Sequence, residues 1–283
     1  MSLPLTVAFD GSETAAAAAR WAAAYAAATG APVRLLHVRP PLDQGPEPLR
    51  PRRPDVEIDA TDAMARTAAE LSRVHPGLPI DATTQEGGDV ADLLCRAADR
   101  AGTLVLGTRG AGPAALVLGS VALAVASRAE SPVVLVPPGT AGAPPDREVL
   151  VGVDLAGDCG PVLSFGFEQA RCLGVRLHAL HVWRAAGALS AAVHAGPGAD
   201  PREVEGHVLS TELAAVQAFF PGVEAVSEEH DGVPAWVLPP ATEKASLLVL
   251  GRRRRRTPPA RLGPVVPAVL GRTACPVAVV PHR

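Results

Sequence analysis

The sequence predicts two tandem α/β domains, each an open, doubly wound sheet of five parallel strands with helices on both faces. Three observations carry this prediction. The 283-residue chain repeats itself at a fixed spacing of 144 residues. Short apolar runs alternate along it with longer helix-forming stretches. Hydrophobic residues make up 48% against 19% charged, enough to build packed cores.

The repeat is legible residue by residue. Val7-Ala8-Phe9-Asp10 returns as Val151-Gly152-Val153-Asp154, and Leu36-His37-Val38 as Leu180-His181-Val182. Leu104-Val105-Leu106-Gly107 returns as Leu248-Val249-Leu250-Gly251, Gly119 as Gly263, and Ser131-Pro132-Val133 as Cys275-Pro276-Val277. Chance does not hold one register over five separate segments; the chain is a tandem duplication. The stretch from Pro137 to Pro145 is a Pro/Gly linker without periodicity. It sets the first domain at 1–138 and the second at 147–283.

Element by element, Leu3–Phe9 is an apolar run suited to a buried strand. Asp10-Gly11-Ser12 forms a turn and N-cap, and Ser12–Thr29 an Ala-rich helix stopped by Gly30. Val33–Val38 is the second strand. The proline-rich stretch Pro40–Pro54 reads as an irregular surface loop. Val56–Val74 is a helix, Ile80–Thr84 a strand and Asp89–Ala101 a helix. Thr103–Gly107 is a strand, Gly119–Ala129 a helix and Val133–Val136 the last strand. Strands joined through helices make a parallel sheet covered on both faces, wound by right-handed crossovers. A duplicated chain can also pair equivalent edges as an intrachain pseudo-dimer, or as a homodimer. Val133–Val136 against Val277–Val280 is the expected contact.

Composition narrows the function. Aromatics are 3%, which leaves few stacking platforms for single-stranded nucleic acid. A net charge of −3 argues against a general polyanion binder. Cys95, Cys159, Cys172 and Cys275 form no CxxC pair, so neither a zinc site nor a disulfide framework is expected. The start, MSLPLTVAFDGSE, lacks a signal-peptide pattern, and the Ala15–Ala28 run is interrupted by Arg20 and too short to span a bilayer. A cytoplasmic chain without a membrane partner is expected.

Ligands of doubly wound sheets sit at the carboxyl ends of the strands, near the switch point. The loop after the fourth strand reads Gly107-Thr108-Arg109-Gly110-Ala111-Gly112-Pro113, and the next helix opens at Gly119-Ser120-Val121. Glycines let backbone approach an anion, and a helix start offers free N–H groups. Ser120 adds a hydroxyl. These are parts of a phosphate cradle, and Asp10 is an acceptor where a ribose or base could lie.

These residues resemble the universal stress protein family in its tandem two-domain form. Its signature is Gly-x2-Gly-x9-Gly-Ser/Thr after the fourth strand, with an Asp ending the first. Gly107, Gly110, Gly119 and Ser120 match it, with eight residues rather than nine between Gly110 and Gly119. VAFDGS at 7–12, LHV at 36–38 and SPVVLVP at 131–137 are also similar to the family. The resemblance implies strand order 3-2-1-4-5 and ATP binding, since members with the glycine signature bind ATP and members without it do not. It implies contacts from Ala8, Asp10 and Val38 to adenine and ribose. Gly107, Thr108, Arg109, Gly110, Gly112, Gly119, Ser120 and Val121 would hold the phosphates, with Mg²⁺ bridging phosphate oxygens rather than held by a protein metal site. Asp154, Val182, Gly251, Arg253 and Gly263 are the weaker counterparts in the second domain.

Other readings stay open beside this one. Gly110–Ala115 fits a dinucleotide fingerprint only formally, because that motif follows a first strand. No Gly-Lys-Ser/Thr occurs. Asp10 could simply cap its helix, and Gly107 and Gly110 could serve the turn alone. His37 and His181 read as strand histidines with ordinary hydrogen bonds. His178 and His181 point to opposite faces and do not share a metal. The Arg252–Arg256 run fits a solvated loop, a contact with phosphate or an acidic partner, or nucleic acid.

For function, a nucleotide-dependent stress-response regulator competes with a slow ATPase or nucleotidyl transferase and with a nucleotide-free scaffold. No catalytic residue stands out: carboxylate pairs, lysines and catalytic histidines are missing from the strand ends, which favours binding over turnover. The two sites are not expected to be equivalent. Gly110 becomes Arg254, Gly112 becomes Arg256, Ser120 becomes Pro264, and Gly11-Ser12 becomes Leu155-Ala156.

Overall fold

The computed structural model describes residues 3–39, 54–108, 118–140, 146–183, 201–254 and 262–283. The chain divides into two compact units, Met1–Gly142 and Ala143–Arg283. The first unit runs β1 (Leu5–Ala8), α1 (Glu13–Thr29), β2 (Val33–Arg39), α2 (Pro54–Val74) and β3 (Ile80–Glu86). It continues with α3 (Val90–Ala101), β4 (Thr103–Gly107), α4 (Ser120–Arg128) and β5 (Val133–Val136). Every strand pairing in it is parallel, in the order β3-β2-β1-β4-β5.

Local chemistry sets these boundaries. Ser12 caps α1, its hydroxyl accepting from the Ala15 N–H at 3.2 Å. Gly30 ends the helix in the left-handed region at φ 71°, its N–H closing on the Ala26 carbonyl. Alanines form most of the buried face of α1 and let it lie close to the sheet; Trp21 and Tyr25 supply the bulk, ring centroids 5.0 Å apart. Asp89 caps α3 by accepting from the Asp92 N–H at 2.9 Å. The core behind these helices is Val7, Leu35, Leu104, Val105 and Leu135, all closed to solvent.

The second unit runs β6 (Glu148–Val153), α5 (Gly160–Leu173), β7 (Leu177–Trp183), α6 (Pro201–Gln217) and β8 (Ala225–Asp231). It ends with α7 (Pro234–Ala241), β9 (Ala245–Arg253), α8 (Val265–Leu270) and β10 (Val277–His282). Its sheet has the equivalent parallel order, β8-β7-β6-β9-β10. Adjacent residues of β6 show helices on both faces. A Cβ at Gly166 of α5 would press on Val151, whereas one at Gly152 would meet Leu238 of α7. Phe167 of α5 stacks on Phe220 at 5.4 Å and anchors one face.

Two expectations are corrected. Strand Leu3–Phe9 is shorter, because Phe9 already leaves the ladder while still donating to the Leu36 carbonyl at 2.8 Å. The arginine run does not begin as a solvated loop: Arg252 and Arg253 are the last residues of β9, paired with Pro281 and His282 of β10. Arg252 is only 5% exposed. Backbone pairing has overridden the polarity of the side chains. The units also differ from one another in α5: Glu13 aligns with Gly157, but the helix starts only at Gly160. Most of the Pro40–Pro54 loop lies outside the described residues; Pro54 itself opens α2. Among the described residues no helix is long and apolar enough to cross a membrane.

Candidate functional site

Strand register builds the first site. Ala8 pairs with Leu36 and Val7 with Val105. Carried on past Ala8, the same register sets Asp10 level with Val38 of β2 on one side and Thr108 on the other. Val38 and Thr108 are buried, while Asp10 is exposed. Ala8 and Gly107 are the last residues of β1 and β4. Gly119 is the N-cap of α4, with Ser120 and Val121 in its exposed first turn. Arg109, Gly110 and Gly112 lie outside the described residues.

Asp10 does not cap α1 itself. Its Oδ1 accepts from the Ser12 N–H at 3.0 Å and the Ser12 hydroxyl at 2.5 Å, which fixes the residue that does. The Ser12 hydroxyl also meets Thr14 Oγ1 at 3.0 Å. Oδ2 of Asp10 has no hydrogen-bond partner among the described residues. Ser12 and Thr14 thus join the site's polar rim, which the sequence reading did not include; the signal was present in the run Asp10-Gly11-Ser12-Glu13-Thr14.

The glycines gain specific reasons. Gly11 stands at φ +83°, and a Cβ there would lie 2.9 Å from the Ala60 backbone of α2. Gly107 is bare on the side where α1 crosses it, since a Cβ would overlap the Thr14 carbonyl. Its smallness therefore serves helix–strand contact. His37 is an ordinary strand histidine, Nδ1 donating to the Phe9 carbonyl at 2.8 Å.

The second unit reuses this frame with different chemistry. Gly152 pairs with Leu180 and Leu250, so Asp154 stands level with Val182 and Arg252. Asp154 Oδ1 accepts from the Ala156 N–H at 3.0 Å, mirroring Asp10. Its Oδ2, however, is paired with Arg253 at 2.9 Å. The Arg253 guanidinium also lies against Gly157, where a Cβ would sit 3.2 Å from Nε. His181 Nδ1 donates to the Val153 carbonyl at 2.9 Å, as His37 does in its unit, and Nε2 lies 3.2 Å from Glu205. His178 reaches the other way, between Glu148 at 3.2 Å and Glu228 at 3.0 Å.

Gly251 is bare because His282 occupies the space: a Cβ would be 2.8 Å from Nε2. Gly263 lies just ahead of α8, which has six residues and no side-chain cap. A cavity of about 720 Å³ opens at the carboxyl ends of β6 and β9, lined in part by Asp154, Val182, Arg252 and Arg253. Burial pushes the Cys159 thiol at its edge up to about 11.

Both halves match one family model, universal stress protein, over residues 1–137 and 147–281. The chain belongs to the universal stress protein family. It is 32% identical over 263 residues to a universal stress protein of Mycolicibacterium smegmatis, covering 89% of this chain and 87% of that one. A universal stress protein of Mycobacterium tuberculosis is 28% identical over 300 residues, covering 98% and 95%. The fold of a universal stress protein from Archaeoglobus fulgidus superposes at a TM-score of 0.73, with 17% identity and coverage of 99% and 98%. Its match spans both domains of this universal stress protein.

Proposed function

We infer that the first domain, taken as 1–138, binds ATP and that the chain acts as a nucleotide-dependent stress-response regulator in the cytoplasm. The observation that carries this reading is the Asp10 carboxylate oxygen that no described residue pairs, level with Val38 and Thr108 at the switch point between β1 and β4. A ribose hydroxyl can donate to that oxygen while the other keeps the α1 cap in place. The start of α4, with Gly119 and Ser120, supplies N–H groups and a hydroxyl for phosphate. Mg²⁺, brought with the nucleotide, would offset the phosphate charge there.

The same reading makes the second domain, 147–283, a poor nucleotide site. The Arg253–Asp154 pair alone is a weak obstacle, since exposed ion pairs contribute under ~1 kcal/mol. The decisive losses are backbone ones. Pro264 has no N–H, and α8 is six residues long, too short for a useful macrodipole.

Titration calorimetry on variants tests the first site. Asp10→Ala should weaken ATP by about 1–3 kcal/mol through loss of a hydrogen bond to a charged group. Gly110→Trp should abolish binding while the protein still melts cooperatively. Unchanged affinity in both variants would place the nucleotide elsewhere.

A further inference from the structure

The first unit has a cavity of its own on one face of its sheet, between the sheet and α3. It measures about 340 Å³, at the small end of ligand cavities. Thr6 pairs in register with Arg34 and Arg34 with Asp81, so the three side chains form one row on one face. Arg34 and Asp81 lie near the amino-terminal ends of β2 and β3, away from the strand ends that carry the nucleotide site. Thr83 and Gln85 continue this floor along β3, and the wall is α3, with Arg96 and Arg100 one helical turn apart. Among the described residues that line it, none is aromatic, so a base finds no stacking partner.

The charges do not balance. Arg34 lies 3.4 Å from Asp81, and these two answer one another. Arg96 and Arg100 are exposed and have no ion pair among the described residues. On the floor, Thr6 is 1% exposed and its hydroxyl has no hydrogen-bond partner. A buried hydroxyl without a partner is destabilising, and the second unit shows that the fold does not need one. Across the 144-residue repeat Thr6 becomes Leu150, Arg34 becomes His178 and Arg96 becomes Pro240, within the same parallel strand order. The first unit therefore gathers donors in want of an anionic acceptor.

We propose that this cavity binds the phosphate monoester of a small hydroxylated compound, its phosphate on Arg96, Arg100 and the Thr6 hydroxyl and its own hydroxyls toward Thr83 and Gln85. A phosphate monoester is close to a dianion at neutral pH, which matches two unpaired guanidiniums, and the planar fork of each guanidinium fits phosphate oxygens. The Arg34–Asp81 pair is solvent-exposed and weak enough to shift as the phosphate reaches Thr6. The site goes beyond the nucleotide reading and does not depend on whether the strand ends take ATP.

Titration calorimetry of the full chain with glucose 6-phosphate, glucose and inorganic phosphate tests it. Glucose 6-phosphate should saturate at one molecule per chain, with inorganic phosphate about tenfold weaker or more and glucose not saturating. An Arg96→Gln, Arg100→Gln double variant should weaken glucose 6-phosphate by about tenfold or more. Both positions are exposed, so its melting temperature should stay unchanged. Thr6→Val keeps the shape of the side chain; it should weaken binding several-fold while raising the melting temperature of the free protein, because the lone hydroxyl is gone. Asp10→Ala should leave glucose 6-phosphate affinity intact even where it lowers ATP affinity. Failure of glucose 6-phosphate to saturate, affinity unmoved in the arginine variant or in Thr6→Val, equal affinity for inorganic phosphate, or a loss in Asp10→Ala would each overturn the proposal.

Discussion

Gly107 and Gly251 occupy the same place in the repeat, yet their neighbours differ in kind. An added methyl at Gly107 meets the Thr14 backbone, which cannot move without unwinding the first turn of α1. At Gly251 it meets the His282 imidazole and a Val162 methyl, both side-chain atoms. Overpacking of this sort costs about 1–3 kcal/mol. Gly107→Ala should fall at the upper end of that range and Gly251→Ala at the lower end, measured by urea denaturation. Equal losses would mean that α1 can shift as readily as His282. The sequence marked both glycines but not their reason, because Thr14 and His282 reach them only through tertiary packing. The Asp154–Arg253 pair was hidden in the same way: its members are 99 residues apart.

Elements of the first unit were legible where apolar runs are bounded by Gly, Pro or a capping Asp or Ser. Thr103–Gly107 and Val133–Val136 are strands over the expected residues. Reading failed where pairing or packing outweighed local preference. β9 carries two arginines because β10 pairs with it to the end, and α7 contains Pro239 and Pro240 within its eight residues. The late start of α5 follows from Ala156 replacing the Ser12 cap, which leaves Cys159 in the N-cap position, its thiol turned to Glu212 and making no cap bond to the helix. That thiol and Cys275, which burial pushes up to about 12, have an alkaline consequence. In the unfolded chain both ionise near their ordinary value of 9. Their contribution to stability is complete below that pH and is lost as pH rises through about 11 to 12. Urea midpoints should therefore drop as pH rises above 9, and a Cys159→Ala, Cys275→Ser double variant should drop less. Identical slopes would show that other groups control alkaline unfolding.

At the scale of the whole molecule, one fold has been used twice with divergent strand ends. The parallel order and the histidine hydrogen bond behind each second strand are common to both units. What separates them is concentrated in a few positions: Ser12 against Ala156, Thr108 against Arg252, and Ser120 against Pro264. The central claim is that these changes leave one adenine-nucleotide site in a chain that repeats the same parallel strand order in both units. The most direct measurement is the stoichiometry of ATP binding by calorimetry with Mg²⁺ at moderate salt, where loose arginine–phosphate contacts are screened. Saturation at one nucleotide per chain, lost in Gly110→Trp, is the expected result. A clean stoichiometry of two, or one site that survives Gly110→Trp, would contradict it.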